Sequence, residues 1–273
     1  MAGSLVERAM RVLEMLGRFP QGLPLQTVAD RLNLPKSGAH RLLTELVQLG
    51  YLAQDPRNQA YLPATKLMAL GFRQLGACGF GDVAQPVLNR LAAASGELAL
   101  LAVSDREQLI YLAKAQGAAA GMRFDIELGT PVALSASASG LAWLASLGDE
   151  RALQWLERQG GGEAGLRGSA AAPSLKALLA SLVATRSRGW AEVDEIWAPG
   201  VSALATAVRG GPERAPFAVL GIAGPSLRLD GAARQRLAPE LLRAAVELGA
   251  TSPLFSYLRS LNAAAGPAAE ARA

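Results

Sequence analysis

Residues 36–49, KSGAHRLLTELVQL, divide into two faces so cleanly that they constrain the start of this chain more than any other segment. With Lys36 at 0° and about 100° added per residue, Lys36, Ser37, His40, Arg41, Thr44, Glu45 and Gln48 fall on one half of the helical circle. Ala39, Leu42, Leu43, Leu46, Val47 and Leu49 fall on the other. The apolar half needs a partner to pack on. The polar half offers donors of several kinds, a mixture suited to reading base edges. A solvated helix face has the same pattern, so the flanking segments decide between the two.

Those flanks are informative. Ser4 with Glu7 three residues on is a capping box, predicting a helix to about Arg18 with Leu5, Ala9, Val12, Leu13 and Leu16 inward. Phe19-Pro20-Gln21-Gly22 stops it. A short helix follows over 25–32, burying Leu25, Val28, Ala29 and Leu32, and Asn33-Leu34-Pro35 turns the chain. Gly50 ends the amphipathic helix. Residues 51–54 and 60–62 are short strand candidates around the turn Asp55-Pro56-Arg57-Asn58-Gln59. Helix, helix, helix, hairpin is the order of a winged helix-turn-helix.

Charge agrees. Residues 1–76 carry nine Lys/Arg against five Asp/Glu, and the remaining 197 residues carry 18 of each, so the whole net charge of +4 sits on the first quarter. Phosphate binding needs such a local surplus. On the reading face Arg41 suits guanine O6 and N7 in bidentate fashion, and Gln48 reaches adenine only if the helix enters deeply. Lys36 and Ser37, at the positive end of the helix, suit a phosphate or a base edge, with Thr44 further along the same face. His40, the one histidine of the chain, supplies a single donor or acceptor. Arg57 at the hairpin tip is placed for the minor groove or a phosphate, or is an ordinary turn arginine.

Beyond the hairpin, 65–75 reads as a helix and 76–81, GACGFG, as a break. Helices are predicted over 83–94, 137–147, 150–159, 175–188 and 230–248, with another after Pro253. Strands are predicted over 98–103, 109–114, 122–124, 190–193, 203–208 and 217–223. Residues 160–172 form a Gly/Ala/Ser-rich loop, and 263–273 a disordered tail. The elements do not alternate as βαβ units, so the fold class is α+β with an antiparallel sheet. One cysteine, Cys78, excludes an intrachain disulfide and a cysteine-built zinc site. No apolar run is long enough for a membrane span, and the amphipathic opening is unlike a secretion signal. The expected location is the cytoplasm.

The opening Ser4-Leu5-Val6-Glu7-Arg8-Ala9-Met10-Arg11-Val12-Leu13 and the block Asn33-Leu34-Pro35-Lys36-Ser37-Gly38-Ala39-His40-Arg41-Leu42-Leu43, ending in Gly50-Tyr51-Leu52, resemble the IclR family of bacterial transcription regulators. The departure is Gly38, where the family usually has threonine. The resemblance continues to about residue 262 through Gly129-Thr130-Pro131-Val132, Ala138-Ser139-Gly140-Leu141-Ala142, Glu195 with Gly200-Val201-Ser202-Ala203, and Phe217 to Pro225. It implies a winged helix-turn-helix over 4–64, a linking helix and hinge over 65–81, and an effector-binding domain over 82–262. The partners it implies are operator DNA, a small-molecule effector and further copies of the chain, as a homodimer or tetramer.

It also implies a polar effector pocket, and here the residues depart from it. The family's aspartate, cysteine and two serines match Val193, Ala203, Gly221 and Ala223, and its lysine matches Leu141. Ser139 beside Ala138 remains, as does Glu195. A charged ligand in a pocket stripped of partners is desolvated without compensation, so the expected effector is less polar or bulkier than a small carboxylate. The alternatives are a decayed pocket, or polar groups from Arg123 or Ser135.

An enzyme is the rival class. The run Ser135-Ala136-Ser137-Ala138-Ser139-Gly140 lacks the Gly-x-Ser-x-Gly pattern of a nucleophile elbow, and His40, the sole imidazole, sits in the other domain. Asp149-Glu150 and Asp194-Glu195 are chain neighbours, which rarely face one substrate together, and the first pair suits a helix start. No catalytic residue, metal ligand or cofactor is therefore expected. A third class, a winged helix serving only as a protein-interaction scaffold, leaves the chemistry of Ser37, His40 and Arg41 unexplained.

Overall fold

The computed structural model describes residues 4–105, 108–159, 174–211, 214–251 and 256–257. The chain divides into two compact units, Met1–Ala77 and Cys78–Ala273.

The first unit opens with α1, Leu5–Leu16, capped by Ser4, whose hydroxyl accepts from the Glu7 amide at 3.1 Å. The Glu7 carboxylate pairs with Arg11 one turn on. Val12 and Leu16 are fully buried and Ala9 and Leu13 pack beside them, but Leu5 is 48% exposed, because the first turn overhangs the small core. Helix α2, Leu25–Arg31, buries Val28 and Ala29, and Asn33 takes a left-handed φ of 50° in the turn that follows. Helix α3, Lys36–Gln48, buries Ala39, Leu42, Leu43 and Leu46. It ends one residue before Leu49, which is 52% exposed instead of lying on the packed face. Strands β1, Leu52–Gln54, and β2, Tyr61–Pro63, pair antiparallel, and Leu23 bridges to Tyr61. Helix α4, Thr65–Ala77, buries none of its residues. At its start, Lys66 donates to the Leu49 carbonyl at 2.9 Å and lies over the Tyr51 ring.

The second unit is built on one antiparallel sheet. Helix α5, Phe80–Ser95, leads into β3, Leu98–Asp105, and β4, Gln108–Gln116. Helices α6, Ala138–Leu147, α7, Asp149–Arg158, and α8, Leu175–Arg188, come next. Strands β5, Ala191–Asp194, β6, Val201–Gly210, and β7, Ala215–Pro225, then complete the sheet in the order β4-β3-β7-β6-β5. Helix α9, Gly231–Thr251, follows, with the Asp230 carboxylate accepting from the Ala233 amide at 2.7 Å. Helices α5 and α9 pack together and cover one face of the sheet, while α6 packs on β5, β6 and β7 across the other, with α7 and α8 behind it.

The expected strand over 122–124 does not form. Its backbone is taken up by side chains instead: Gln116 donates to the Phe124 carbonyl at 3.0 Å and Arg228 to that of Met122 at 2.9 Å. The predicted loop 160–172, most of the helix after Pro253 and the tail 263–273 lie outside the described residues.

Candidate nucleic-acid interface and effector cavity

Burial on one side of α3 fixes what the other side shows. Lys36, Ser37, His40 and Arg41 are exposed and Thr44 is half-buried, so the reading-face residues of the first two turns stand together on one surface. Pro35 occupies the N-cap and offers no side-chain bond, and the first intrahelical donor is the Ala39 amide, to the Pro35 carbonyl. The amides of Lys36, Ser37 and Gly38 therefore point out of the helix start unclaimed by it, an arrangement that suits an anionic oxygen. The ion pairs among the described residues leave Lys36 and Arg41 without a carboxylate partner.

Arg57 stands on the hairpin tip, its side chain 88% exposed and folded back on Asp55 at 2.9 Å. The Arg57 side-chain hydrogen bond, helped by the Arg57 amide, holds the Asp55 carboxyl below the usual carboxylate range. An exposed pair of this kind contributes little to stability, so a phosphate can compete for the guanidinium.

In the second unit a cavity of about 120 Å³ opens between the sheet and the start of α6. Its floor is set by strand register. Val193 lies opposite Ala203, Ala203 opposite Ala223, and Gly221 opposite Leu100, all on the face toward α6. Ala138 and Ser139 form a wall at the first turn of α6. Phe124, Ile126 and Trp197 close another side, with the Phe124 and Trp197 rings edge to face at 5.6 Å.

The helix start is pressed close to the chain beneath it. A Cβ on Gly140 would stand 2.3 Å from the Leu134 carbonyl oxygen, so only glycine allows α6 to begin here. Ser137 caps α6 by accepting from the Gly140 amide at 3.0 Å while donating to the Ala133 carbonyl at 2.6 Å.

Of the residues the sequence marked for an effector, Ala138, Ser139, Val193, Ala203, Gly221 and Ala223 line this one cavity. Glu195 does not. Strand β5 ends at Asp194, and Glu195 begins the turn with a left-handed φ of 55°, its amide bonded to the Val201 carbonyl and its side chain in solvent. Arg123 and Ser135 are also absent from the lining, and Leu141, at the family's lysine position, is packed in the core.

Sequence reasoning missed Tyr111. The residue pairing passes from Leu101–Ala113 to Ala102–Tyr111, leaving Leu112 as an extra residue, and this bulge puts Tyr111 on the cavity face. Its ring is buried, which pushes the phenol pKa up, while hydrogen bonds with Ser139 and Ser137 pull the other way. Among the described residues no charged side chain lines the cavity. Its polar lining comes from Tyr111, Thr130, Ser137, Ser139 and the backbone.

Among the described residues no group of His, Cys, Asp and Glu side chains could hold a metal ion, and no helix is long and apolar enough to cross a membrane.

Comparison with known proteins follows the same division. Residues 5–56 match the IclR helix-turn-helix domain and residues 74–250 the bacterial transcriptional regulator IclR C-terminal domain. The acetate operon repressor of Salmonella typhimurium is 29% identical over 243 residues, covering 88% of this chain and 87% of that protein. The crystal structure of an IclR transcriptional regulator from Alicyclobacillus acidocaldarius has a TM-score of 0.77 at 23% identity, covering 96% of this chain and all of that one. An IclR homologue from Microbacterium hydrocarbonoxydans, crystallised with 4-hydroxybenzoate, has a TM-score of 0.76 at 24% identity, covering 94% and 100%. With an amphipathic helix exposing its polar face in one unit, a small-residue cavity in the other, and family matches spanning both, the chain belongs to the IclR family of DNA-binding bacterial transcriptional regulators.

Proposed function

We propose that this regulator binds a two-fold-related operator as a dimer or tetramer, represses from it, and is switched by a small, largely apolar single-ring effector. The observation that carries the DNA reading is the exposed face of α3, where Lys36, Ser37, His40 and Arg41 stand beside unclaimed first-turn amides. Arg41 reads a base, Lys36 and Ser37 hold a phosphate or base edge, and Arg57 adds a contact from the hairpin. Self-association is supported by α4, a helix without a buried residue that carries Met68, Leu70 and Phe72 exposed, the last at 72%. Repression is supported by the likeness to the acetate operon repressor of Salmonella typhimurium. An electrophoretic mobility shift on the DNA beside its own gene, with random DNA as competitor, tests the reading. A discrete shift that survives competitor is expected, and equal binding to both DNAs would overturn it.

The effector class rests on the cavity. Its volume, about 120 Å³, is of the order of the roughly 150 Å³ apolar cavity that holds benzene. A lining without charge disfavours a compact dianion, and Tyr111 and Ser139 offer hydroxyls to one polar substituent. The ring held by the Microbacterium relative is of this size class. Calorimetry with single-ring aromatics and with small dicarboxylates checks it: tight binding of a dicarboxylate with no response to aromatics ends the proposal. The effector then shifts operator affinity only by its differential affinity for the two arrangements of the paired reading heads.

A further inference from the structure

A second cavity, of about 240 Å³, lies at the other end of α6, among the last turns of α6 and α8 and strand β6. Its lining differs in kind from that of the effector cavity. Two guanidinium groups, Arg186 and Arg209, meet there with the hydroxyl-bearing Ser146, Thr185 and Thr206.

Three features of this lining are unusual. The Thr185 hydroxyl oxygen is fully buried and has no hydrogen-bond partner among the described residues, although a buried donor left without one is costly and rare. Among the described residues no carboxylate pairs with Arg209: its two bonds there, to the carbonyls of Arg214 and Ser146, are both long at 3.3 Å. Arg209 also sits where the pairing of β6 with β7 slips, between Val208 and Arg209, and a bulge of this kind re-aims a side chain.

Capping of α6 accounts for part of the arrangement. The Ala145 and Ser146 carbonyls belong to the last turn of α6, and Arg186 and Arg209 donate to them. Capping leaves the charge unbalanced, however. Asp149 pairs with Arg186 at 2.6 Å, so among the described residues one carboxylate faces two guanidiniums, and capping gives the Thr185 hydroxyl nothing to bond.

We propose that this cavity is a binding site for a small oxyanion, a carboxylate or phosphate group, held by Arg209 with Arg186 and, once its side chain turns to its other helical rotamer, by the Thr185 hydroxyl that is now shut away from the cavity. A planar guanidinium with spare donors matches either oxyanion in bidentate fashion. The site shares no lining residue with the effector cavity, so it stands or falls independently of the effector reading.

The test is calorimetry of the full chain with inorganic phosphate and with succinate, on the wild type and on Arg209→Gln and Thr185→Val. Saturable binding of at least one anion is expected, weakened about tenfold or more by Arg209→Gln. Thr185→Val leaves both helix caps in place. It is expected to raise the melting temperature in the absence of anion, by removing an unsatisfied buried hydroxyl, and to weaken anion binding. That pair of opposite effects separates a ligand site from a structural one. No saturable binding of either anion up to about 10 mM would overturn the proposal, as would binding that both variants leave intact.

Discussion

In the proposed reading, helix α3 and the cavity under α6 carry function in opposite ways. On α3 the side chains proposed to meet DNA lie within thirteen consecutive residues, point outward and are varied in chemistry. The effector cavity collects its lining from Leu100 to Ala223, points inward, and is made chiefly of small or apolar side chains. A duplex supplies its own charge and shape, so a protein surface meets it with donors. A small ligand must be enclosed, and what encloses it is strand register and close backbone approach. The first kind of site is altered by changing a side chain's chemistry, the second by changing its volume.

The largest effect should come from the close approach at Gly140. Gly140→Val drives a side chain into the Leu134 carbonyl and should cost about 3 kcal/mol or more, read as a fall in the urea or thermal midpoint, with Gly140→Ala milder. A variant as stable as the wild type would show that the start of α6 yields, and that the cavity is less fixed than the helix. Next in size is Arg41→Ala. It should weaken operator binding by roughly 1–3 kcal/mol, up to about a hundredfold, while random-sequence DNA loses far less. Equal loss on both DNAs would place Arg41 on phosphates and take sequence readout away from the centre of the face.

The same contrast explains what the sequence revealed. Periodicity located α3 to within one residue, because its facing pattern is written in consecutive letters, and only Leu49 was misplaced, by the helix ending early. Val193, Ala203, Gly221 and Ala223 were marked through the family resemblance, and strand pairing brings them together on one cavity. Tyr111 was invisible, since its facing depends on one unpaired residue, Leu112, whose presence no alternation pattern in β4 announces. Glu195 stands outside the cavity for a related reason: it lies one residue past the end of β5, and a left-handed turn removes it from the sheet.

Tyr111→Phe sharpens the cavity side at a smaller scale. Losing one neutral hydroxyl should cost a hydrogen-bonding effector about 1 kcal/mol, close to fivefold in affinity, with operator binding of the effector-free protein unchanged. It carries a pH signature too. Burial raises the Tyr111 pKa above its ordinary 10.0, so the folded chain keeps a proton that the unfolded chain releases. That stability is complete below pH about 10 and lost as pH rises through the folded value. Wild type should therefore lose more stability than Tyr111→Phe over that range, and parallel curves would show the phenol to be unperturbed.

Gly38 gives the smallest effect and bears most directly on where the reading face ends. A Cβ there meets nothing closer than the Pro35 Cδ at 4.0 Å, and glycine inside a helix costs up to about 1 kcal/mol relative to alanine. Gly38→Ala should thus raise the melting midpoint slightly. If the reading face is only Lys36, Ser37, His40, Arg41 and Thr44, operator affinity should stay within about twofold, since position 38 lies beyond the polar arc. A fall in operator affinity alongside the gain in stability would mean that glycine is kept so that the DNA backbone can approach the helix start closely. The contrast between the two regions would then narrow, because α3 would depend at this one position on absent volume, as the effector cavity does at Gly221.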